Sequence, residues 1–191
     1  MESQSTESGL AAQLLIAMPG MGDPRFEKSV ILMCAHSDEG AMGLIVNKPA
    51  RDLKFAELLS QLDIVPGSDV AETRIYFGGP VEHGRGFVLH SPDYAGNEAT
   101  VEVGTQFGMT ATLDILEDIA RGDGPGRSIL ALGYAGWGPG QLEGEIARNG
   151  WLTCAASQDL VFGTPNAEKW GAALKTLGID AIALSSAAGR A

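Results

Sequence analysis

The chain has 191 residues, of which 45% are hydrophobic, and its formal net charge is −11 at pH 7. This length and apolar content exclude a wholly disordered chain and allow one sizeable hydrophobic core. The excess of carboxylates argues against direct binding to nucleic acids or anionic membranes, because affinity for phosphate comes mainly from Lys and Arg.

The N-terminal segment is predicted to be a loose tail over residues 1–8, followed by a single domain over residues 9–191. Residues 1–18 contain two glutamates and no Lys or Arg, so they lack the positive region of a signal peptide. No apolar run approaches the ~18 residues that span a bilayer. We therefore expect a cytoplasmic protein, with no linker and no internal repeat.

The first half of the chain predicts a hairpin and a helix. Residues 36–40 have turn composition and separate two apolar runs, which indicates an antiparallel pair. Apolar residues at three-residue steps, Leu53, Ala56, Leu59 and Leu62, predict a helix, with Asp52 as its cap. The strands predicted here are Leu14–Met18, Ser29–Ala35 and Ala41–Asn47.

The second half predicts more strands than helices. The predicted strands are Arg74–Phe77, Gly86–His90, Thr100–Val103, Ile129–Ala135 and Trp151–Ala156. The predicted helices are Met109–Arg121, a short one ending at Arg148, and Asn166–Leu177, capped by Thr164 or Asn166; residues 185–191 are expected to fray. Short turns between neighbouring strands favour an α+β fold with helices packed on a mixed or antiparallel sheet.

The glycine-rich stretch over residues 133–146, GYAGWGPGQLEGEI, allows three interpretations. A P-loop is excluded, because no Lys, Ser or Thr follows the glycines. A dinucleotide-binding turn fits the glycine spacing, but Pro139 occupies the tight turn and Glu143 and Glu145 lie where the pyrophosphate would bind. The third interpretation is structural: the glycines permit close backbone contacts, and Trp137 and Trp151 bury aromatic surface against the sheet.

Four motifs together resemble a known family. They are Leu15–Leu32 (LIAMPGMGDPRFEKSVIL), Gly43–Pro49 (GLIVNKP), Phe77–Val81 (FGGPV), and Gly133–Trp137 (GYAGW) with Gln141–Glu143 (QLE). In this order they are similar to the YqgE/AlgH family of uncharacterised bacterial proteins, over about residues 10–180.

The resemblance implies a specific version of the α+β fold. Members of the family have a mixed, largely antiparallel bifurcated sheet, folded towards a pseudo-barrel, with helices packed on it. No agreed enzymatic activity or cofactor accompanies the family. Some members carry the label of transcriptional regulator in connection with alginate production, which leaves an indirect effect through a protein partner open.

The motif positions supply polar side chains and turns that could line one cleft, built from the loop over residues 20–25, the turn 78–80 and the loop 136–143. Glycine-rich turns let a ligand approach the backbone closely. The candidate ligand-binding residues are Asp23, Arg25, Asn47, Lys48, Gly79, Glu82, Trp137, Gln141 and Glu143. No catalytic residue, metal ligand or cofactor is assigned.

Cys34 and His36 form the alternative chemistry. Two residues apart on a strand, they are expected to share one face, which would permit a nucleophile pair. A buried, reduced thiol is the simpler interpretation of both Cys34 and Cys154. The three histidines match no metal-ligand spacing.

The sequence thus predicts a non-catalytic protein that binds a small molecule or a protein partner through the cleft. An enzyme of unknown reaction, using Cys34 with His36 or the carboxylates, is one alternative. A DNA-associated regulator is another, disfavoured by the charge and by the lack of an evident helix-turn-helix.

Overall fold

One continuous sheet of nine strands organises the chain in a computed structural model that describes residues 9–20, 23–67, 73–94 and 98–188. The strands are β1 Gln13–Ala17, β2 Val30–Ser37, β3 Gly40–Ile45, β4 Arg74–Phe77, β5 Val81–His90, β6 Val101–Val103, β7 Phe107–Thr110, β8 Ser128–Trp137 and β9 Trp151–Ala155. The helices are α1 Phe55–Gln61, α2 Leu113–Arg121, α3 Gln141–Ala147, α4 Asn166–Thr176 and α5 Ala181–Ala188. The tail predicted for residues 1–8 lies outside the described residues.

The strand order shows the bifurcation. Neighbours run β6-β7-β5-β8-β3-β2-β1-β9, all antiparallel, whereas β4 pairs in parallel with β8. On one edge of β8, β4 pairs with residues 129–132 and β3 pairs with residues 135–137. The sheet therefore forks along β8, and the predicted fold class is confirmed.

Glycines make the fork possible. The chain leaves β4 on one edge of β8 and crosses it to become β5 on the other edge. At the crossing, Gly78 N donates to Leu132 O at 2.8 Å and Gly78 O accepts from Ile45 N at 2.9 Å. A Cβ at Gly79 would lie 2.0 Å from the Tyr134 carbonyl carbon, and one at Gly133 would lie 2.4 Å from Gly79 O. Such distances exclude side chains, so the FGGPV and GYAGW motifs meet as one backbone crossing.

The curled sheet encloses an apolar interior that α4 closes at one end. Trp170, Ala173 and Leu174 of α4 pack among the interior residues of the strands. Trp170 Nε1 donates to Ala17 O at 2.8 Å, at the end of β1, and Lys169 Nζ donates to Val46 O at 2.7 Å, just after β3. We call this the closed end of the barrel.

The outer faces of the sheet carry the remaining helices. Helices α1 and α2 cover the side formed by β4, β5 and β8, while α3 packs with Trp137 and Trp151 on the other half. The two outer ends of the sheet are tied through side chains, because Gln106 Nε2 donates to Ala156 O at 3.2 Å and Gln158 Nε2 donates to Gln106 O at 2.9 Å.

Several predicted helix boundaries were wrong, in one case because residues predicted to be helical pair with another strand. The predicted helix Met109–Arg121 begins only at Leu113, because Met109 and Thr110 belong to β7 and pair with β5. Asp52 does not cap α1, whose N-cap residue is Lys54.

The C-terminal region also departs from prediction. Neither Thr164 nor Asn166 caps α4: its N-cap is Pro165, and Asn166 Oδ1 instead accepts from Tyr76 Oη at 3.0 Å. A π-helical turn at Asp159–Gly163 was not predicted. Helix α5 runs to Ala188, and the rest of the segment expected to fray, residues 189–191, lies outside the described residues.

Candidate functional site

A cavity of about 920 Å³ lies at the end of the barrel opposite α4. It is bordered by the last residues of β2, the first residues of β3, and the ends of β7 and β8. We call it the mouth cavity. The mouth of a β-barrel is a common place for ligand sites, which typically measure about 300–1,000 Å³.

The floor of the mouth cavity is apolar. Phe87 and Tyr134 meet there edge to face, with ring centroids 5.8 Å apart. Met42 and Met109 pack beside them against the barrel interior, and Val101 on β6 is 49% exposed beside the opening. Two methionines give such a floor an adaptable surface, because their side chains are unbranched and flexible.

Arg85 supplies a positive charge at the rim. The register of β5 on β8 jumps from Val81 to Gly86, so residues 82–85 arch out of the sheet. The Arg85 guanidinium lies over the Phe87 ring, 5.0 Å from its centroid, and 3.4 Å from Glu82 Oε2. Both members of this ion pair are more than half exposed, so the pair contributes little, about 0–1 kcal/mol.

His36 and Glu143 form a second polar pair at the rim. His36 Nε2 lies 2.5 Å from Glu143 Oε1, and the His36 side chain is almost fully covered whereas Glu143 is about half exposed. A hydrogen bond from its own backbone N–H, followed by His36, lowers the pKa of Glu143. The pair therefore ties the end of β2 to the first turn of α3.

The structure separates eight of the nine predicted ligand residues into two groups and leaves Gly79 at the backbone crossing between them. The mouth group contains Glu82, Trp137, Gln141 and Glu143: Trp137 lines the mouth cavity, and Glu82 and Glu143 contact Arg85 and His36, which line it. The loop group surrounds the start of β2 and contains Asp23, Arg25, Asn47 and Lys48. Val30, which Asn47 contacts, and His36, which Glu143 contacts, are six residues apart on β2, or about 20 Å at the usual rise of a strand.

The loop group is held mainly by its own hydrogen bonds. Arg25 binds both carboxylate oxygens of Asp23, and this hydrogen bonding lowers the pKa of Asp23. Asn47 accepts from Val30 N at 2.9 Å and donates to Lys28 O at 2.8 Å. Lys48 Nζ donates to Arg25 O at 3.1 Å. These contacts fasten the segment that enters β2 to the segment that leaves β3.

The mouth group has both structural and cavity-facing members. Trp137 lines the mouth cavity, while its Nε1 donates to Glu145 Oε2 at 2.7 Å and its ring meets Trp151 edge to face at 6.0 Å. Gln141 Oε1 accepts from Gly138 N at 3.0 Å. The structural interpretation of the glycine stretch is thus supported. In addition, β9, which follows α3, pairs with β1 rather than lying beside β8, unlike the strands of a dinucleotide-binding unit.

The predicted shared face of Cys34 and His36 is wrong. A β-bulge between Met33 and Ala35 shifts the alternation of β2. Cys34 packs in the barrel interior, where burial raises the pKa of its thiol to about 12. His36 is paired with Ala41, whose side chain packs on the outer face with α3. The two side chains therefore lie on opposite faces of the sheet.

Arg85, Met42 and Met109 were not singled out from the sequence. The sequence gives little indication of their role, because one arginine and two methionines far apart in the chain form a site only when β3, β5 and β7 are assembled in the sheet.

Within the part of the chain that the structure describes, no group of three His, Cys, Asp or Glu side chains is placed to hold a metal ion. Over the same residues, no helix has the length and apolarity needed to cross a bilayer.

Comparison with known proteins places the chain in a family. It is 64% identical to a UPF0301 protein of Ruegeria pomeroyi over 184 residues, covering 95% of this chain and 99% of the relative. It is 52% identical to a UPF0301 protein of Rhodospirillum rubrum over 188 residues, covering 98% and 97%.

Solved structures agree. The solution structure of AlgH from Pseudomonas aeruginosa is 42% identical, with a TM-score of 0.78 over 97% of this chain and 96% of that one. The crystal structure of protein DIP2367 from Corynebacterium diphtheriae is 20% identical, with a TM-score of 0.70 over 92% and 90%, and supports the fold alone. The AlgH-like family model, DUF179, matches residues 14–182. The resemblance seen in the four sequence motifs is therefore confirmed, and the chain belongs to the AlgH-like family.

Proposed function

We propose that the protein is a non-catalytic, cytoplasmic binding protein that holds a small ligand with an apolar body in the mouth cavity. The observation that supports this most directly is the cavity itself: about 920 Å³, floored by the Phe87 and Tyr134 rings and two methionines, at the open end of a barrel. Its size and its mixture of apolar floor and few polar rim groups are those of small-molecule sites.

The thiol version of the enzymatic alternative has little geometric support. A reactive cysteine needs an accessible thiolate, but the Cys34 thiol is buried and its pKa is raised to about 12. A regulatory role is better explained indirectly, through a partner protein that responds to the bound ligand, than through direct DNA binding by a chain with a net charge of −11.

The nine predicted residues take different places in this proposal. Trp137, which lines the mouth cavity, would contact the bound ligand, and Glu82 and Glu143 would lie beside it through their contacts with Arg85 and His36. A ligand role for Gly79 and Gln141 stays a prediction. A ligand role for Asp23, Arg25, Asn47 and Lys48 stays a prediction, which alanine substitution of Asn47 tests.

An uncharged fluorescent probe tests the mouth cavity. We expect the emission of N-phenyl-1-naphthylamine to rise on titration with the protein, because the ring system leaves water for the apolar floor. Ala35→Trp, at an exposed β2 position that lines the cavity, should weaken this binding at least tenfold. Ala155→Trp, at an exposed position of β9, is the matched control and should bind like the wild type.

Probe binding that is absent, or that is equal in Ala35→Trp and the wild type, would refute the mouth cavity as the site. Native mass spectrometry of protein taken directly from cells provides the complementary measurement. A retained small molecule that Ala35→Trp loses and Ala155→Trp keeps would support the proposal.

A further inference from the structure

A second cavity lies next to the mouth cavity, on the other face of β5. It measures about 250 Å³ and opens between the end of α1 and the start of α2. We call it the side cavity. Six leucine side chains line it, at positions 58, 62, 113, 116, 130 and 132.

The two cavities meet at three residues, Arg85, Ala111 and Thr112, which line both of them. They lie on opposite sides of β5, because Phe87 faces the barrel interior while Val88 packs against the helices. The arch over residues 82–85 interrupts the pairing of β5 with β8 at this point. Arg85 therefore lies where a large cavity with a polar rim meets a small cavity with apolar walls.

The surroundings of Arg85 favour an anionic group beside it. Among the described residues, its one ion pair is the loose contact with Glu82, at 3.4 Å and with both groups exposed. Phe87 holds the planar guanidinium over the cavity floor, which reduces the freedom lost on binding. A guanidinium stacked on an aromatic ring can still bind a carboxylate or phosphate through paired, charge-assisted hydrogen bonds.

We infer that the ligand of this site is an alkyl-tailed anion: its carboxylate or phosphate binds Arg85, its tail enters the side cavity, and the rest of the molecule occupies the mouth cavity. This inference rests on the proposed function and specifies the ligand class. Two observations support it: the positive charge of Arg85, which complements an anion, and the apolar walls of the side cavity, which that residue also lines.

Alkyl carboxylates of increasing length are suitable probes. In titrations followed by amide chemical shifts, we expect affinity to rise about fourfold per methylene from hexanoate to octanoate to decanoate. The shifts should appear at Leu113 and Leu116 of the side cavity and at Phe87. Decanoate should bind roughly tenfold more tightly than decanol, because only the carboxylate pairs with Arg85.

Two variants with matched controls separate the two contacts. Arg85→Gln should remove the preference for decanoate over decanol, whereas Arg121→Gln, which breaks another i,i+3 ion pair of an exposed arginine, should keep it. Leu62→Asp should remove the dependence on chain length, whereas Leu177→Asp should not. Leu62 and Leu177 are both helix C-cap residues, 37% and 42% exposed, with φ of −94°.

Equal affinity of the wild type for decanoate and decanol, or an unchanged preference in Arg85→Gln, would overturn this inference. Binding of the uncharged naphthylamine probe would persist in that case, so the proposed function would stand. Loss of that probe's binding to the wild type would instead remove the proposed function and this inference together.

Discussion

Lys169 lies in an environment that is unusual for a lysine. It is 1% exposed, its Nζ donates to Val46 O at 2.7 Å, and it lies 5.2 Å from the centroid of the Tyr76 ring. Burial, with a smaller contribution from Arg74, lowers its pKa to about 8. The fold therefore holds a costly cation at the closed end of the barrel, fastened to the chain that leaves β3.

The lowered pKa of Lys169 should be visible in the pH dependence of the free energy of unfolding. Because its pKa is about 8 when folded and 10.5 ordinarily, the folded state disfavours the proton. The penalty is fully present below pH 8 and is relieved as pH rises towards 10.5. Relative to Lys169→Met, the wild type should gain on the order of 2 kcal/mol in free energy of unfolding between pH 7 and pH 10.

Urea denaturation at a series of pH values measures this difference. Lys175→Met, at an exposed position of the same helix, should follow the wild-type pH profile. Parallel profiles for Lys169→Met and the wild type would contradict the prediction.

The fork along β8 is the decisive feature at the scale of elements. The hairpin of β2 and β3 was predictable, because its turn and its apolar runs are neighbours in sequence. The crossing of β4 to β5 was not, because it depends on Gly78 and Gly79 meeting Gly133, more than fifty residues away. Strand β7 was missed for the same reason. Met109 fits the helical spacing of the residues that follow it in the sequence, and only its pairing with β5 makes it part of a strand.

Two glycines with nearly the same backbone angle test the crossing. Gly133 has φ +75° and its Cβ would lie 2.4 Å from Gly79 O, whereas Gly140 has φ +74° and nothing within 4 Å. Alanine at Gly140 adds only left-handed strain, about 1–2 kcal/mol. Alanine at Gly133 adds the same strain and a backbone clash, so it should cost at least about 4 kcal/mol. Similar midpoints of chemical unfolding for the two variants would contradict this prediction, because they would show that the backbone at the crossing can shift to accept a Cβ at little cost.

At the scale of the whole molecule, the two ends of the barrel differ. Helix α4 closes one end with Trp170 and Lys169, while the mouth cavity remains at the other. This asymmetry gives the mouth group and the loop group different surroundings, although both come from the motifs that mark the family. The sequence led us to expect a single cleft lined by all nine residues because the motifs lie close to the sheet. The mouth group and the loop group, however, lie at opposite ends of β2.

The net charge of −11 leads to a prediction for the whole molecule. In a gel-shift titration at about 50 mM salt, where non-specific binding is strongest, the protein should not retard a double-stranded DNA fragment. A small basic protein at the same concentration serves as the positive control. Retardation that weakens steeply as salt is added would establish phosphate contacts and revive the DNA-associated reading.

What the sequence determined by itself is local or compositional. Apolar runs, turns and helical spacing identified most strands and helices, and four ordered motifs identified the family and, through it, the bifurcated sheet. The tertiary structure alone decided which side chains meet. It put Cys34 and His36 on opposite faces through one bulge, divided most of the predicted ligand residues between two ends of a strand, and assembled the mouth cavity largely from residues outside the motifs. The reason is that a cavity, a strand register or a backbone crossing depends on pairings between distant segments, and the side chains of any one segment do not specify their partner.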